Sequence, residues 1–173
     1  MNRIKLATLS KEHTIAFKEE MQEAFQYGFQ SYHRGGIRQS QWQVLPDKDF
    51  YQSLNAEGAE AYEAMNADGQ RVGGAIIIIN HETRHNELAF LYVKVGVQGK
   101  GIGQAIWKAI EALHPETEVW ETCTPYFDRR NIHFYINCCG FHAVEFFHAH
   151  HPDPHMPEQF DQEDGLFRFE KCK

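Results

Sequence analysis

Apolar positions along the chain change their period several times, and each change marks an element. Ile4 and Leu6 alternate within residues 3–8, as in a short half-buried strand. From Ser10, an N-cap residue with Glu12 in the turn behind it, Ile15, Phe17, Met21, Ala24, Phe25 and Phe29 recur at helical spacing. Gly35-Gly36 ends that helix, residues 37–46 with Trp42 form a loop, and Asp47 caps a short helix reaching Leu54. Residues 59–66 and 71–80 read as the arms of a hairpin turned at Ala67-Asp68-Gly69. The run Ala75-Ile76-Ile77-Ile78-Ile79 is apolar on both faces, which predicts a central strand covered on both sides.

The second half of the chain repeats strand and helix signals in alternation. His81 to His85 turn the chain into a strand over 87–95. The helix behind the next turn sets Ile102, Ala105, Ile106, Ala109, Ile110 and Leu113 on one face and stops at His114-Pro115. Residues 118–123 read as strand, 128–139 as helix with Gly140 at its C′ position, and 141–147 and 165–170 as the last two strands. The order β-α-α-β-β-β-α-β-α-β-β predicts an α/β fold, a mixed sheet of about seven strands with helices on both faces. Residues 1–173 are read as one domain, with no repeat or linker.

One stretch departs from this plain alternation. Residues 91–106, LYVKVGVQGKGIGQAI, run from apolar strand through a glycine-rich turn into a helix. Gly99, Gly101 and Gly103 remove side chains where the backbone bends, and the helix start adds unpaired amides and the positive end of its dipole. Such a turn holds a phosphate or pyrophosphate, and Lys100 adds charge beside it. Neither common phosphate register fits. Gly101 follows the Gly-Lys pair where a P-loop needs Ser or Thr, and Gly99-Lys100-Gly101-Ile102-Gly103-Gln104 lacks the third glycine of the dinucleotide fingerprint.

Composition narrows the partners. The 173 residues are 42% hydrophobic and 13% aromatic, which describes a folded globular chain. A net charge of −7 disfavours nucleic acid as a partner and suits amine-bearing ones. An anionic ligand then needs local basic groups, for which Lys94, Lys100, Arg129 and Arg130 are the candidates. The start MNRIKLATLS lacks the apolar core of a signal peptide, and no stretch approaches a membrane span of about 20 apolar residues. Cys123, Cys138, Cys139 and Cys172 show no CxxC spacing, which points to reduced thiols and a cytoplasmic setting.

Two motifs then give a family resemblance. Val97-Gln98-Gly99-Lys100-Gly101-Ile102-Gly103 resembles the acyl-CoA signature of the GCN5-related N-acetyltransferases (GNAT), with Gln98, Gly101 and Gly103 in the defining places. Asn131-Ile132-His133-Phe134-Tyr135, followed by Gly140-Phe141, is similar to the family's second motif, where a helix carries the tyrosine and Gly-Phe begins a strand. The element order agrees over nearly the whole chain. The resemblance implies a GNAT-like fold and an acetyl-CoA-dependent N-acetyltransferase working on a primary amine by direct transfer in a ternary complex. It also implies site roles. Val93 and Val95 would offer backbone groups to the pantetheine arm, beside a strand bulge for which Gly96 is suited. Gln98, Gly99, Lys100, Gly101, Ile102 and Gly103 would hold the pyrophosphate, Asn131 would hydrogen-bond the cofactor arm, and Tyr135 would lie near the sulfur.

Tyr135 is the candidate general acid, because a phenol stays protonated at neutral pH and can donate to a leaving thiolate. Glu87 is the candidate base, on the strand before the turn and in side-chain phase with Leu91 and Val93. Glu121 and a water held by backbone carbonyls compete with it. Cys138 and Cys139, beside a helix C-terminus, read as small buried residues and not as acyl carriers. His148, His150, His151 and His155 cluster near Pro152 and Pro154 but lack a rigid tetrahedral set, so no metal is expected. A domain that binds acyl-CoA without catalysis is the alternative, and a homodimer through the aromatic C-terminal strands is left open.

Overall fold

The computed structural model describes residues 3–32, 44–154 and 165–173. Its strands are β1 (Lys5–Thr8), β2 (Ala59–Met65), β3 (Arg71–Ile78), β4 (His85–Val93), β5 (Val119–Pro125), β6 (His142–Phe147) and β7 (Leu166–Cys172). Its helices are α1 (Thr14–Tyr32), α2 (Asp47–Leu54), α3 (Ile102–Leu113) and α4 (Arg129–His133). The strands form one seven-stranded sheet in the order β1-β2-β3-β4-β5-β7-β6. Neighbours run antiparallel except β4 and β5, which are parallel and joined through α3. The architecture is thus the mixed sheet that the apolar periods predict. Among the described residues no helix is long and apolar enough to cross a membrane.

Two apolar layers cover the sheet, one on each face. Ala75, Ile77, Leu88 and Trp120 pack with Ile102, Ile106, Trp107 and Ile110 of α3 and with Tyr135 and Phe141. Ile76 and Tyr92 face the other way, onto Phe17, Met21 and Ala24 of α1 and Phe50 of α2. The all-apolar run on β3 is explained by this double burial, and each such side chain contributes about 1.5–3 kcal/mol. Gly74 lets α1 lie close, since a Cβ there would stand 2.3 Å from Phe17 Cε2. Arg71 on β3 fixes the helix by donating to both oxygens of Glu20, at 2.9 and 3.0 Å, while Tyr92 Oη donates to Glu20 at 3.0 Å.

Element ends differ from the sequence reading where local hydrogen bonds decide. Ser10 makes no side-chain cap; a 3-10 turn, Lys11–His13, precedes α1, and Thr14 Oγ1 donates to Ser10 O at 3.1 Å. Asp47 is the first residue of α2, not its cap, because its carboxylate takes bonds from Lys18 (3.0 Å) and Gln22 (2.7 Å) of α1. The expected single helix over 128–139 is one α turn that widens into a π-helical turn, Phe134–Cys138, with Cys139 N donating to Phe134 O at 3.0 Å. Gly140 follows at φ +81°, the left-handed stop its C′ placement predicts. Gly35-Gly36, Trp42 and His155 lie outside the described residues.

Candidate active site

The parallel ladder between β4 and β5 holds only three pairs: His85 with Val119, Asn86 with Trp120, and Glu87 with Glu121. Beyond them β4 continues along β3, and Thr122 to Pro125 continue along β7. The strands therefore part and leave a wedge lined by backbone groups without a strand partner. A bulge lies where the strands part. Ile76 pairs with Phe90 but Ile77 pairs with Leu88, so Ala89 is the extra residue that kinks β4. The kink expected near Gly96 is corrected to Ala89; Gly96, at φ +96°, lies in the turn after the strand. At the fork itself Thr122 Oγ1 donates to Leu88 O at 2.9 Å.

The bulge also reverses the side-chain phase of β4. Leu88, Leu91 and Val93 all face α3, whereas Phe90 and Tyr92 face α1. Glu87, paired with Ile78 and next to Leu88, is on the α1 face. It is not in phase with Leu91 and Val93, as uninterrupted alternation implies. Its carboxyl is raised above the ordinary glutamate value, first by the protein crowded around it and then by the charge of Glu121. Glu121 is differently placed, for His85 Nε2 donates to it at 3.0 Å and Arg168 Nη1 at 3.3 Å. Of the two carboxylates, Glu87 is the less engaged.

At the other end of β4 the glycine turn is built as an amide cradle. Gly99 and Gly101 have φ of +81° and +73°, which cost an L side chain about 1–2 kcal/mol. Gly101 caps α3, and the first bond of the helix runs from Ala105 N to Gly101 O at 3.1 Å. The amides of Ile102, Gly103 and Gln104 precede it and have no partner within the helix. Lys100 is exposed on the turn. These groups fit a pyrophosphate. Gln98 Nε2 donates to Val93 O at 3.4 Å and ties the turn to the strand end. Val93 closes β4, while Val95 lies past it and packs towards α1 and α2. Gly103 brings α3 against the π turn, since a Cβ there would stand 3.1 Å from the Phe134 ring.

The π turn carries the phenol to the fork. Tyr135 is 6% exposed and packs on Phe141 and Phe169, with ring centroids at 5.7 and 6.0 Å. Burial raises its pKa above the ordinary phenol value. Gln104 Nε2 donates to Cys138 O at 2.7 Å and locks the turn onto α3. Asn131 is held by Asp128, which accepts from its backbone N at 3.0 Å and from its side-chain Nδ2 at 2.9 Å. Asn131 thus has one side-chain N–H committed and keeps the second N–H and the carbonyl oxygen to offer.

Other chemistry is disfavoured by its surroundings. The Cys123 and Cys139 thiols are each pushed up to about 12, chiefly by burial, so neither is a ready thiolate. Among the described residues one group, His85, Glu121 and Glu170, has metal-ligating atoms within 4.8 Å of one another. Arg168 already stands on both of its carboxylates and supplies the charge a metal would bring. His151 donates to Glu145 at 2.9 Å and His148 pairs with His151 through the backbone, and among the described residues no further ligand is gathered there. Sequence reasoning singled out the turn and Tyr135, expected the bulge at Gly96 and not at Ala89, and did not single out Thr122. The apolar run from Leu88 to Val93 hides a phase shift, and a lone threonine in a strand carries no signal of its own.

The sheet is thus forked between parallel strands, with an amide-rich turn beyond the fork and a buried phenol beside it. Residues 16–141 match the model of the acetyltransferase (GNAT) family, and the chain belongs to that family. The uncharacterized protein YrkN of Bacillus subtilis (strain 168) is 47% identical over 135 residues, 74% of this chain and 72% of that protein. An acetyltransferase of Bacillus subtilis, solved in complex with CoA, has the same fold (TM-score 0.65, 20% identity, 100% of this chain and 99% of that one). So has the spermidine N-acetyltransferase of Vibrio cholerae, solved with CoA and spermine (TM-score 0.67, 12% identity, 98% of this chain and 95% of that one).

Proposed function

We propose that the chain moves an acetyl group from acetyl-CoA to a primary amine of a small molecule, peptide or protein, directly within a ternary complex. The fork between β4 and β5 carries this reading, because it joins the amide cradle to Tyr135 on one face and Glu87 on the other. Gln98 to Gly103 hold the pyrophosphate, Val93 and Val95 meet the pantetheine arm through their backbone, and Asn131 hydrogen-bonds that arm. Glu87 takes a proton from the acceptor ammonium. Having passed that proton to solvent, Glu87 takes the second one from the nitrogen as it bonds to the acetyl carbon and the carbon–sulfur bond breaks, and Tyr135 gives its own proton to the departing thiolate. Backbone amides exposed by the fork steady the oxygen on which charge develops. The phenolate regains its proton from solvent, and the turnover releases one proton.

The carboxylates of Glu87 and Glu121 on the α1 face suit an acceptor that arrives as an ammonium ion. The experiment is thiol release from acetyl-CoA across an amine panel that includes spermidine, simple alkylamines, amino acids and N-terminal peptides. Acceptor-dependent thiol is the expected result. CoA binding with no thiol released by any amine would leave a binding module in place of an enzyme.

A further inference from the structure

Gln104 belongs to two structures at once. Its backbone N is the last of the amides that open α3 without a helical partner, directly before the first helical bond from Ala105 N to Gly101 O. Its side chain leaves the helix and donates through Nε2 to Cys138 O at 2.7 Å, on the last residue of the π turn. That carbonyl stands at a helix end, where carbonyls lack donors from the same helix. Phe134 O and Tyr135 O, by contrast, are met by the backbone, from Cys139 N at 3.0 Å and Phe141 N at 2.9 Å. Gly103 brings the two elements close enough for this, since a Cβ there would stand 3.1 Å from the Phe134 ring. The end of the π turn is thus held from outside, by α3.

Tyr135 is the second residue of that turn. Wide turns of this kind are rare, occur mostly singly, and are frequent at functional sites. With ordinary α winding Cys139 N would reach back to Tyr135 O, which here accepts from Phe141 N instead. The Tyr135 ring is steadied by Phe141 and Phe169, and its backbone by the winding of the turn. We propose that Gln104 is a positioning residue for the acetyl transfer, tying the backbone that carries Tyr135 to the first turn of α3, so that the amides receiving the pyrophosphate also set the phenol. The inference rests on the acyl-CoA reading of the glycine turn. It gives the glutamine side chain a purpose that the cradle alone does not supply, because the cradle uses only the backbone N–H and any residue but proline carries one.

The test needs neither an acceptor nor an acetyl group. The protein is labelled with fluorotyrosine, and the fluorine resonance missing from Tyr135→Phe is assigned to Tyr135 among the seven tyrosines. The probe is the nucleotide end of CoA, adenosine 3′-phosphate 5′-diphosphate, which brings the pyrophosphate without the pantetheine arm. It can therefore act on the phenol only through the cradle. At saturation it should move the Tyr135 resonance of the wild type. In Gln104→Met, which keeps the length and helix preference of glutamine but has no N–H to give, that movement should be lost. Should Gln104→Met not fold, Gln104→Leu gives the same reading. A wild-type resonance that the bound nucleotide leaves in place overturns the inference, and so does a movement that persists in Gln104→Met or Gln104→Leu. A wild type that does not bind the nucleotide in calorimetric titration overturns the reading of the cradle itself, and the inference with it.

Discussion

Gly101→Ala isolates the conformational contribution of the glycine turn. A Cβ at Gly101 meets nothing within 4 Å, so the substitution brings no clash. Its φ is +73°, and the left-handed region costs an alanine about 1–2 kcal/mol. That energy must appear somewhere. If the turn keeps its shape without ligand, stability to denaturant falls by about 1–2 kcal/mol and CoA affinity is unchanged. If the turn relaxes when empty and must be bent back, stability holds and CoA affinity falls roughly 5- to 30-fold. The two losses together should come to about 1–2 kcal/mol, measured by urea unfolding and by calorimetric titration with CoA. Gly28→Ala is the control, since Gly28 lies inside α1 with open space around it and no positive φ. It should stabilise by about 0.5–1 kcal/mol with CoA affinity unchanged. A Gly101→Ala protein that loses neither stability nor affinity would refute the cradle, as would a loss of affinity beyond about a hundredfold.

Tyr135→Phe should lower turnover on the order of 10²-fold or more with CoA affinity nearly intact, and steady-state rates with the acceptor found by the panel decide it. Glu87→Gln has a kinetic and a thermodynamic signature. It should flatten the acidic limb of the pH–rate profile, and a retained wild-type limb would sink the base assignment. The raised carboxyl means that the folded chain holds its proton more tightly than the unfolded one, so the charged form costs stability once pH passes the unfolded value of about 4.3. Glu87→Gln should therefore unfold at higher denaturant than wild type near neutral pH, with the gain gone in acid; equal midpoints at both pH values would contradict this. Gly74→Ala should destabilise by about 3 kcal/mol, because its Cβ would meet Phe17 Cε2 at 2.3 Å and the backbone oxygen of Tyr62 at 2.6 Å. A near-neutral urea midpoint would show that α1 is free to lift.

What was legible in the sequence follows a physical divide. Periodicity reports burial, so the strand and helix order, the doubly covered β3 and the amphipathic α3 could all be read from one face or two being apolar. The glycine turn was legible because only glycine takes φ of +73° or +81° without strain. The position of the bulge was not, since Leu88, Ala89, Phe90, Leu91, Tyr92 and Val93 are apolar throughout and either phase satisfies the run. The π turn escaped for a similar reason: Ile132, Phe134, Tyr135, Cys138 and Cys139 suit α and π winding alike. Thr122 was silent because its role depends on where a neighbouring strand departs, which no local pattern encodes.

The phase reversal at Ala89 has a chemical consequence that joins these features. Tyr135 reaches the fork from the α3 side, within the layer formed by Trp120, Leu88 and Phe169, and Glu87 sits on the α1 side, in register with Ile78. Without the bulge, the phase of Leu91 and Val93 would set Glu87 on the same face as the phenol, where base and acid would compete for one approach. With it, the proposed acid and base lie on opposite faces of the sheet and meet only through the gap beside that bulge. Direct transfer is served by this arrangement, because the amine adds to one face of the planar thioester carbonyl while the sulfur takes its proton elsewhere, so base and acid act on different atoms. One inserted residue thus lies where the strands part and separates proton removal from proton donation. Restoring regular pairing by deletion of Ala89 should therefore abolish transfer even with Tyr135 and Glu87 both intact, and a deletion variant that folds and still releases acceptor-dependent thiol would refute this coupling.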